Sequence, residues 1–188
     1  MNLIVSADKH WSIGKNGRPL VNIPAERQLL LKETAGKVVV MGRKTLETLP
    51  GGQPLGGRTN VVLSADPSFK ARGAVVCRSM EETLAYLEEL DYKVKGATVC
   101  GSVEEVMELL KAYHTDDVYI IGGESVYRQF LPYCDTIHLT AIDYVYDADL
   151  RFPVDLDQAP DWKLAEEGEE QTYFDLCYTF CRYVRTGM

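Results

Sequence analysis

Short apolar runs recur along the chain, each closed by a glycine, a charged residue or a turn, and stretches with helical spacing lie between many of them. Leu3-Ile4-Val5-Ser6-Ala7, Val38-Val39-Val40-Met41, Asn60-Val61-Val62-Leu63-Ser64, Ala74-Val75-Val76-Cys77 and Val118-Tyr119-Ile120-Ile121 read as strands. Unbroken β-branched runs of this kind belong to strands buried on both faces, as in a parallel sheet with helices above and below. Pro24 opens a helix, because its fixed φ suits the first turn and its missing N–H is not needed there. That helix carries Leu29, Leu30 and Leu31 as an apolar face and ends at Gly36. A short helix follows over Leu46 to Leu49, and another over Glu124 to Leu131 is stopped by Pro132. Beyond it the rhythm changes. Thr136 to Ile142 alternates as a strand, and Trp162 to Glu167 and Tyr173 to Val184 are joined by Gly168-Glu169-Glu170 with no helix between, which predicts antiparallel pairing. The pattern predicts an α/β fold: a mainly parallel twisted sheet with antiparallel C-terminal strands, flanked by helices.

One segment is written twice. Val76-Cys77-Arg78-Ser79-Met80-Glu81-Glu82 aligns without a gap on Val99-Cys100-Gly101-Ser102-Val103-Glu104-Glu105, and each copy runs into a leucine-bearing helix, Thr83 to Leu90 and Val106 to Tyr113. Each carries S-x-x-E, in which serine and glutamate satisfy each other's orphan helix N–H groups. The copies read as two strand–cap–helix units, or as chance similarity of two amphipathic pieces. Two units are too few for a solenoid, so an extra unit, at about residues 93–115, is expected inside a single domain spanning residues 1–188.

Composition narrows the function classes. The chain has 188 residues, near the usual size of one domain, and its hydrophobic share of 46% is that of an ordinary globular protein. A net charge of −8 argues against a nucleic-acid or anionic-membrane surface. The first residues lack a basic leader and a long apolar core, and no run approaches the roughly 18 apolar residues of a membrane span, so a cytoplasmic protein is expected. The five cysteines are odd in number and lack C-x-x-C spacing, which points to free thiols and no metal.

The chemistry gathers at strand ends, where open α/β sheets bind ligands. Arg43, Lys44 and Arg78 each follow a strand, as does the pair Gly122-Gly123, which lets backbone N–H groups approach a phosphate closely. Three such cations suit a phosphorylated nucleotide, and equally they suit an ordinary solvated surface. Gly42-Arg43-Lys44-Thr45 is not a P-loop, and no G-x-G-x-x-G follows the first strand. Glu26 stands beside apolar residues at a helix start. It reads either as an acid stabilised by the helix dipole or, if buried, as a carboxylate awaiting a cationic or amidine-like ligand. Ile13-Gly14-Lys15-Asn16-Gly17-Arg18-Pro19 has the composition of a long mobile loop that could cover a site; His10 just before it reads as a solvated loop residue, and Trp11 as an anchor.

In order and spacing, a set of motifs resembles the dihydrofolate reductase family: Ile13-Gly14-Lys15-Asn16-Gly17, Ile23-Pro24-Ala25-Glu26, Val40-Met41-Gly42-Arg43-Lys44-Thr45, Gly57-Arg58-Thr59-Asn60-Val61-Val62-Leu63-Ser64, Ile121-Gly122-Gly123-Glu124-Ser125-Val126-Tyr127 and Leu139-Thr140-Ala141-Ile142. The resemblance runs through nearly the whole chain apart from the extra repeat. It implies NADPH as cofactor, a small folate as substrate and reduction of 7,8-dihydrofolate. Glu26 matches the acid that holds the pterin's amino-pyrimidine edge, with Thr140 as its hydrogen-bonding neighbour. Ile4, Ser6, Ile121 and Tyr127 match the surroundings of pterin and nicotinamide; Arg27, Leu30, Thr48, Leu49 and Leu55 match the rest of the substrate wall; and Arg58 matches the arginine that grips the substrate's α-carboxylate. Ser6, Ile13, Gly42, Arg43, Lys44, Thr45, Leu63, Ser64, Arg78, Ile121, Gly122, Gly123, Glu124, Ser125, Val126 and Tyr127 match the cofactor site, with Arg43, Lys44 and Arg78 facing the 2′-phosphate. A monomer is expected. The chain departs from the family pattern at Val21, where a tryptophan is usual, at Leu30, where an aromatic is usual, and at Arg27, where an apolar residue is usual. Because Arg78 stands at the cofactor position and Gly101 replaces it in the second copy, the second copy is expected to be the insertion and to lie away from the site. The alternatives are an NADPH-dependent pyrimidine reductase of the riboflavin pathway and a diverged NADPH-binding protein without turnover.

Overall fold

The computed structural model describes residues 1–66, 68–71, 75–76, 96–111 and 113–187. Its frame is a ten-stranded sheet. In chain order the strands and helices are β1 (Asn2–Asp8), β2 (Ser12–Lys15), β3 (Arg18–Pro19), α1 (Pro24–Glu33), β4 (Val38–Gly42), α2 (Arg43–Thr48), β5 (Thr59–Leu63), β6 (Val75–Val76), β7 (Gly96–Cys100) and α3 (Val103–Leu110). They continue with β8 (Val118–Ile120), α4 (Glu124–Phe130), β9 (Thr136–Ile142), β10 (Leu150–Arg151), β11 (Trp162–Glu167), β12 (Gln171–Tyr173) and β13 (Leu176–Arg185). The order across the sheet is β11-β13-β9-β1-β8-β4-β5-β7-β6, with β12 beside β13. From β9 to β6 every pair is parallel, and β13 runs antiparallel to β9, β11 and β12.

Both faces of the central strands are covered, as their unbroken apolar runs require. Leu3, Val5, Val38, Val40, Val61, Val118 and Ile120 point to a cluster closed by Val106 and Leu109 of α3 and by Val126, Tyr127 and Phe130 of α4. Ile4, Val39, Met41, Val62, Tyr119 and Ile121 point the other way, toward Leu46 of α2 and toward Leu30, Leu49 and Leu55. Alternation along β1 therefore sends Ile4 and Ser6 to the face shared with α1. Helix α1 itself has no fully buried residue, and Leu31 is exposed. Of the three leucines on its apolar face, Leu30 packs against this second cluster and lines an open crevice. Among the described residues no helix is long and apolar enough to cross a membrane.

The repeat builds an in-register pair. Val75 lies opposite Thr98 and Val76 opposite Val99, so positions equivalent in the two copies are neighbours in the sheet. Ser102 caps α3 by accepting the N–H of Glu105 at 3.2 Å, as its S-x-x-E predicts, while Glu105 accepts the N–H of Gly101 at 2.8 Å. The expectation that the second copy lies away from the site does not hold. Its strand β7 pairs along five residues with β5, whereas β6 lies outermost and meets β7 through two. The longer ladder takes the inner place, and Gly101 and Ser102 at its end line the main cleft. Cys77, Arg78, the Ser79–Glu82 cap and the helix Thr83 to Leu90 lie outside the described residues.

Two further expectations change. The loop from Ile13 to Pro19 is not free: β2 pairs with β3 and β10 in a small separate sheet, and Asn16 N–H donates to the Asp149 carboxylate at 3.0 Å. The strand expected over Tyr173 to Val184 is broken at Phe174, whose φ of 53° turns β12 back onto β13. Trp11 does anchor its segment, packing 6.3 Å from Phe152 and accepting the Phe152 N–H at 2.7 Å.

Asp8, at the end of β1, ties these covering segments to the sheet. It is buried and accepts the N–H groups of Ser12 at 2.8 Å, His10 at 2.9 Å and Tyr146 at 2.8 Å. Burial pushes its carboxyl up, but the backbone bonds from Tyr146, Ser12 and His10 together outweigh it and hold the pKa below the ordinary value. An acid depressed in this way stabilises the fold above its unfolded pKa and loses that contribution as pH falls through the folded one. Asp8→Ala, which leaves three N–H groups without an acceptor, is expected to cost roughly 2–4 kcal/mol in urea denaturation at neutral pH, with a smaller difference in acid.

Candidate active site

The parallel strands β1, β4, β5, β7 and β8 all end at one edge of the sheet, and a continuous cleft of about 1280 Å³ opens there. It lies at the place where the strand order reverses. The chain steps outward from β1 to β4, β5 and β7, then returns to insert β8 between β1 and β4. Such switch points are where open α/β sheets hold ligands. The hairpin β2–β3 covers one side, contributing Ile13 and Asn16 to Val21, together with Asp149 and Leu150.

At one end sits Glu26. Pro24 starts α1, and Ile23 just before it is buried against Ile142 and Tyr178, which fixes where the first helical turn leaves the sheet. Glu26 thus faces Ser6 of β1, and the Ser6 hydroxyl donates to its Oε1. Burial raises the Glu26 pKa above the ordinary carboxyl value, and the Ser6 hydrogen bond partly opposes this. Among the described residues Glu26 makes no ion pair. Ile4, Leu30, Thr48 and Leu49 line the same end, and Val21 stands over it from the hairpin. The arrangement is a partly desolvated acceptor in an apolar crevice, suited to an uncharged or cationic donor edge.

Gly42, Arg43, Lys44, Thr45, Leu63, Ser64, Gly123, Glu124, Ser125 and Val126 line the other end, with Ile121 and Tyr127 between the two. β4 and β8 close on each other here: the Gly42 N–H donates to the Gly122 carbonyl at 2.7 Å. Gly122 has to be glycine, since its φ is +107° and an added Cβ would stand 2.8 Å from the Tyr127 ring. Tyr127 in turn donates its hydroxyl to the Ile4 carbonyl at 2.7 Å, and burial holds its pKa far above the usual range. Arg43 pairs with Glu47 at 2.7 Å and lies 5.9 Å over the Phe69 ring, while Lys44 makes no ion pair among the described residues. Backbone approach at Gly42 and Gly122-Gly123, the Lys44 ammonium, a guanidinium and a cleft of this volume fit a phosphorylated dinucleotide beside a second ligand.

Other expected residues stand outside the cleft lining. Thr140 is buried on β9 directly opposite Ser6, yet the hydroxyl that reaches Glu26 is that of Ser6. Gly122 lies beneath the floor, and Leu55 packs in the cluster behind it. Arg27 is exposed on the helix. Arg58 turns three of its N–H donors to the protein, bonding Thr34 Oγ1 at 2.8 Å and the carbonyls of Leu31 and Gly56. Arg78 is outside the described residues. Asp149 and Leu150, together with Gly101 and Ser102, line the cleft without having been singled out as site residues. The S-x-x-E cap at Ser102 was the available signal for one pair, and the acid-rich run from Asp143 to Asp149 for the other.

An acid whose pKa is raised on folding opposes the fold above that pKa and has no effect below the pKa of the unfolded chain. Glu26→Gln is therefore expected to raise Tm by about 2–4 °C near pH 8 and by nothing near pH 3. Calorimetry across that range checks it.

A sequence model described as dihydrofolate reductase matches residues 1–92 and again 88–185. The type 3 dihydrofolate reductase of Salmonella typhimurium is 35% identical over 153 residues, covering 81% of this chain and 78% of its own. The dihydrofolate reductase of Neisseria meningitidis is 30% identical over 186 residues and covered to 98% in both chains. Among solved structures, a dihydrofolate reductase from Enterococcus faecalis complexed with NADP(H) superposes with a TM-score of 0.71 at 25% identity, over 99% of this chain and 96% of that one. Similarity this extensive, over the same strands that build the cleft, places the chain in the dihydrofolate reductase family of NADPH-dependent oxidoreductases.

Proposed function

We propose that the cleft reduces 7,8-dihydrofolate to 5,6,7,8-tetrahydrofolate, with hydride delivered to pterin C6 and a proton to N5. The observation that carries this is Glu26, an acid without an ion pair among the described residues, withdrawn from water at one end of a cleft whose other end holds Arg43 and Lys44. NADPH, when bound, supplies the hydride. The rest falls to the chain. Arg43, Lys44 and the backbone at Gly42 and Gly123 hold phosphate groups, and Ile121 and Tyr127 separate that end from the acid. Glu26 accepts two parallel N–H bonds from the amino-pyrimidine edge, which draws positive charge onto the ring and favours protonation at N5. The proton reaches N5 through water. Apolar Ile4, Leu30 and Leu49 limit how much water enters. In this reading the guanidinium N–H groups of Arg58 that Thr34, Gly56 and Leu31 do not take up meet the substrate's carboxylate, a bidentate task that lysine performs poorly.

The test is NADPH oxidation measured with dihydrofolate, with the riboflavin-pathway pyrimidine and with neither. Consumption with dihydrofolate alone is expected; tight NADPH binding without dihydrofolate turnover overturns the reading. Glu26→Gln is expected to lower turnover at neutral pH by roughly 10²–10³-fold while NADPH binding stays nearly intact. Arg43→Ala is expected to weaken NADPH by roughly tenfold and NADH far less, read by fluorescence titration with each nucleotide.

A further inference from the structure

Ser6 and Thr140 sit side by side on parallel strands, facing the helix that carries Glu26. Among the described residues only Ser6 bonds the carboxylate, and because an ionised carboxylate can only accept, the serine must donate. A glutamate has three side-chain torsions, and the last of them is broad. A carboxylate held only by its own stem would rotate freely about that bond and present no fixed pair of oxygens. A cation at the position of Ser6 would fix it, but would also neutralise it and compete for both oxygens. A hydroxyl occupies one lone pair and leaves the charge in place.

We propose that Ser6 is a positioning residue for Glu26: its hydroxyl, donated to Oε1, sets the carboxylate plane so that the second oxygen and the remaining lone pair of Oε1 face the cleft as a parallel acceptor pair. This deepens the functional reading above and rests on it, since it assumes that Glu26 receives an amidine-like substrate edge. The electrostatics agree with the geometry, because burial favours the neutral acid and the Ser6 bond favours the ionised acceptor that such an edge needs. Among the described residues the titratable side chain that feels the Glu26 charge is Tyr127 of α4, whose hydroxyl is committed to the Ile4 carbonyl and whose raised pKa keeps it neutral.

The test uses the full chain, labelled with [δ-¹³C]glutamate and saturated with NADPH, in three forms: unsubstituted, Ser6→Ala and Ser6→Thr. Carbon NMR follows the Glu26 carboxyl, assigned by its loss in Glu26→Gln. In Ser6→Ala the titration is expected to move to higher pH and KM for dihydrofolate to rise by roughly tenfold, more than kcat falls. Ser6→Thr, which keeps the hydroxyl and suits a strand, is expected to restore both. A carboxyl that titrates in Ser6→Ala as it does in the unsubstituted chain overturns the proposal, as does a Ser6→Thr chain that follows Ser6→Ala. The titration is read without folate, so absence of dihydrofolate turnover would sink the functional reading and still leave the role of Ser6 decided.

Discussion

Everything at the cleft depends on parallel alignment. Because β1, β4, β5, β7 and β8 run the same way, their last residues arrive at one edge, and segments far apart in the chain become neighbours there. An antiparallel arrangement of the same runs would divide those ends between two edges. Parallel pairing demands long crossovers, and the chain provides them: α1 leads from the first strand to β4 and α3 precedes β8. The insertion of β8 between β1 and β4 then forces adjacent connections apart, which opens the crevice that Glu26 and Lys44 enter from opposite ends.

Two acids near the end of β1 show how surroundings decide the role of one functional group. Asp8 is buried, yet its oxygens meet three backbone N–H groups, and the protein has committed them to holding its own covering segments. Among the described residues Glu26 meets one hydroxyl. Its unfilled acceptor capacity is a cost to the fold and is open to a ligand, the usual exchange between stability and activity at a binding site.

Much of this was legible in the residues. The β-branched runs gave the parallel core and its two-sided burial, the tail gave antiparallel strands, and the S-x-x-E at Ser102 gave a real cap. Glu26, Arg43, Lys44 and the Gly122-Gly123 turn were visible as strand-end or helix-start chemistry, and ordered motifs linked them to a family. What could not be read was set by partners distant in sequence. Nothing near Ile13 to Pro19 shows that Asp149 will hold it. Nothing near Leu29 to Leu31 shows that Leu30 will line the cleft while Leu31 faces solvent. The choice of Ser6 over Thr140 as the partner of Glu26 depends on which of two facing hydroxyls reaches the helix, a matter of ångströms that spacing cannot express.

The in-register pairing of the two copies bears on how such a chain can change. Equivalent strand positions lie side by side, so β6 repeats β7 by a translation across the sheet of about 4.8 Å, away from β1 and β8. Growth by translation at a margin leaves the inner spacings untouched. The outer flank of this architecture can therefore lengthen by whole strands while the geometry around its acid is inherited unaltered, which separates the freedom to vary in size from the requirement to keep a site.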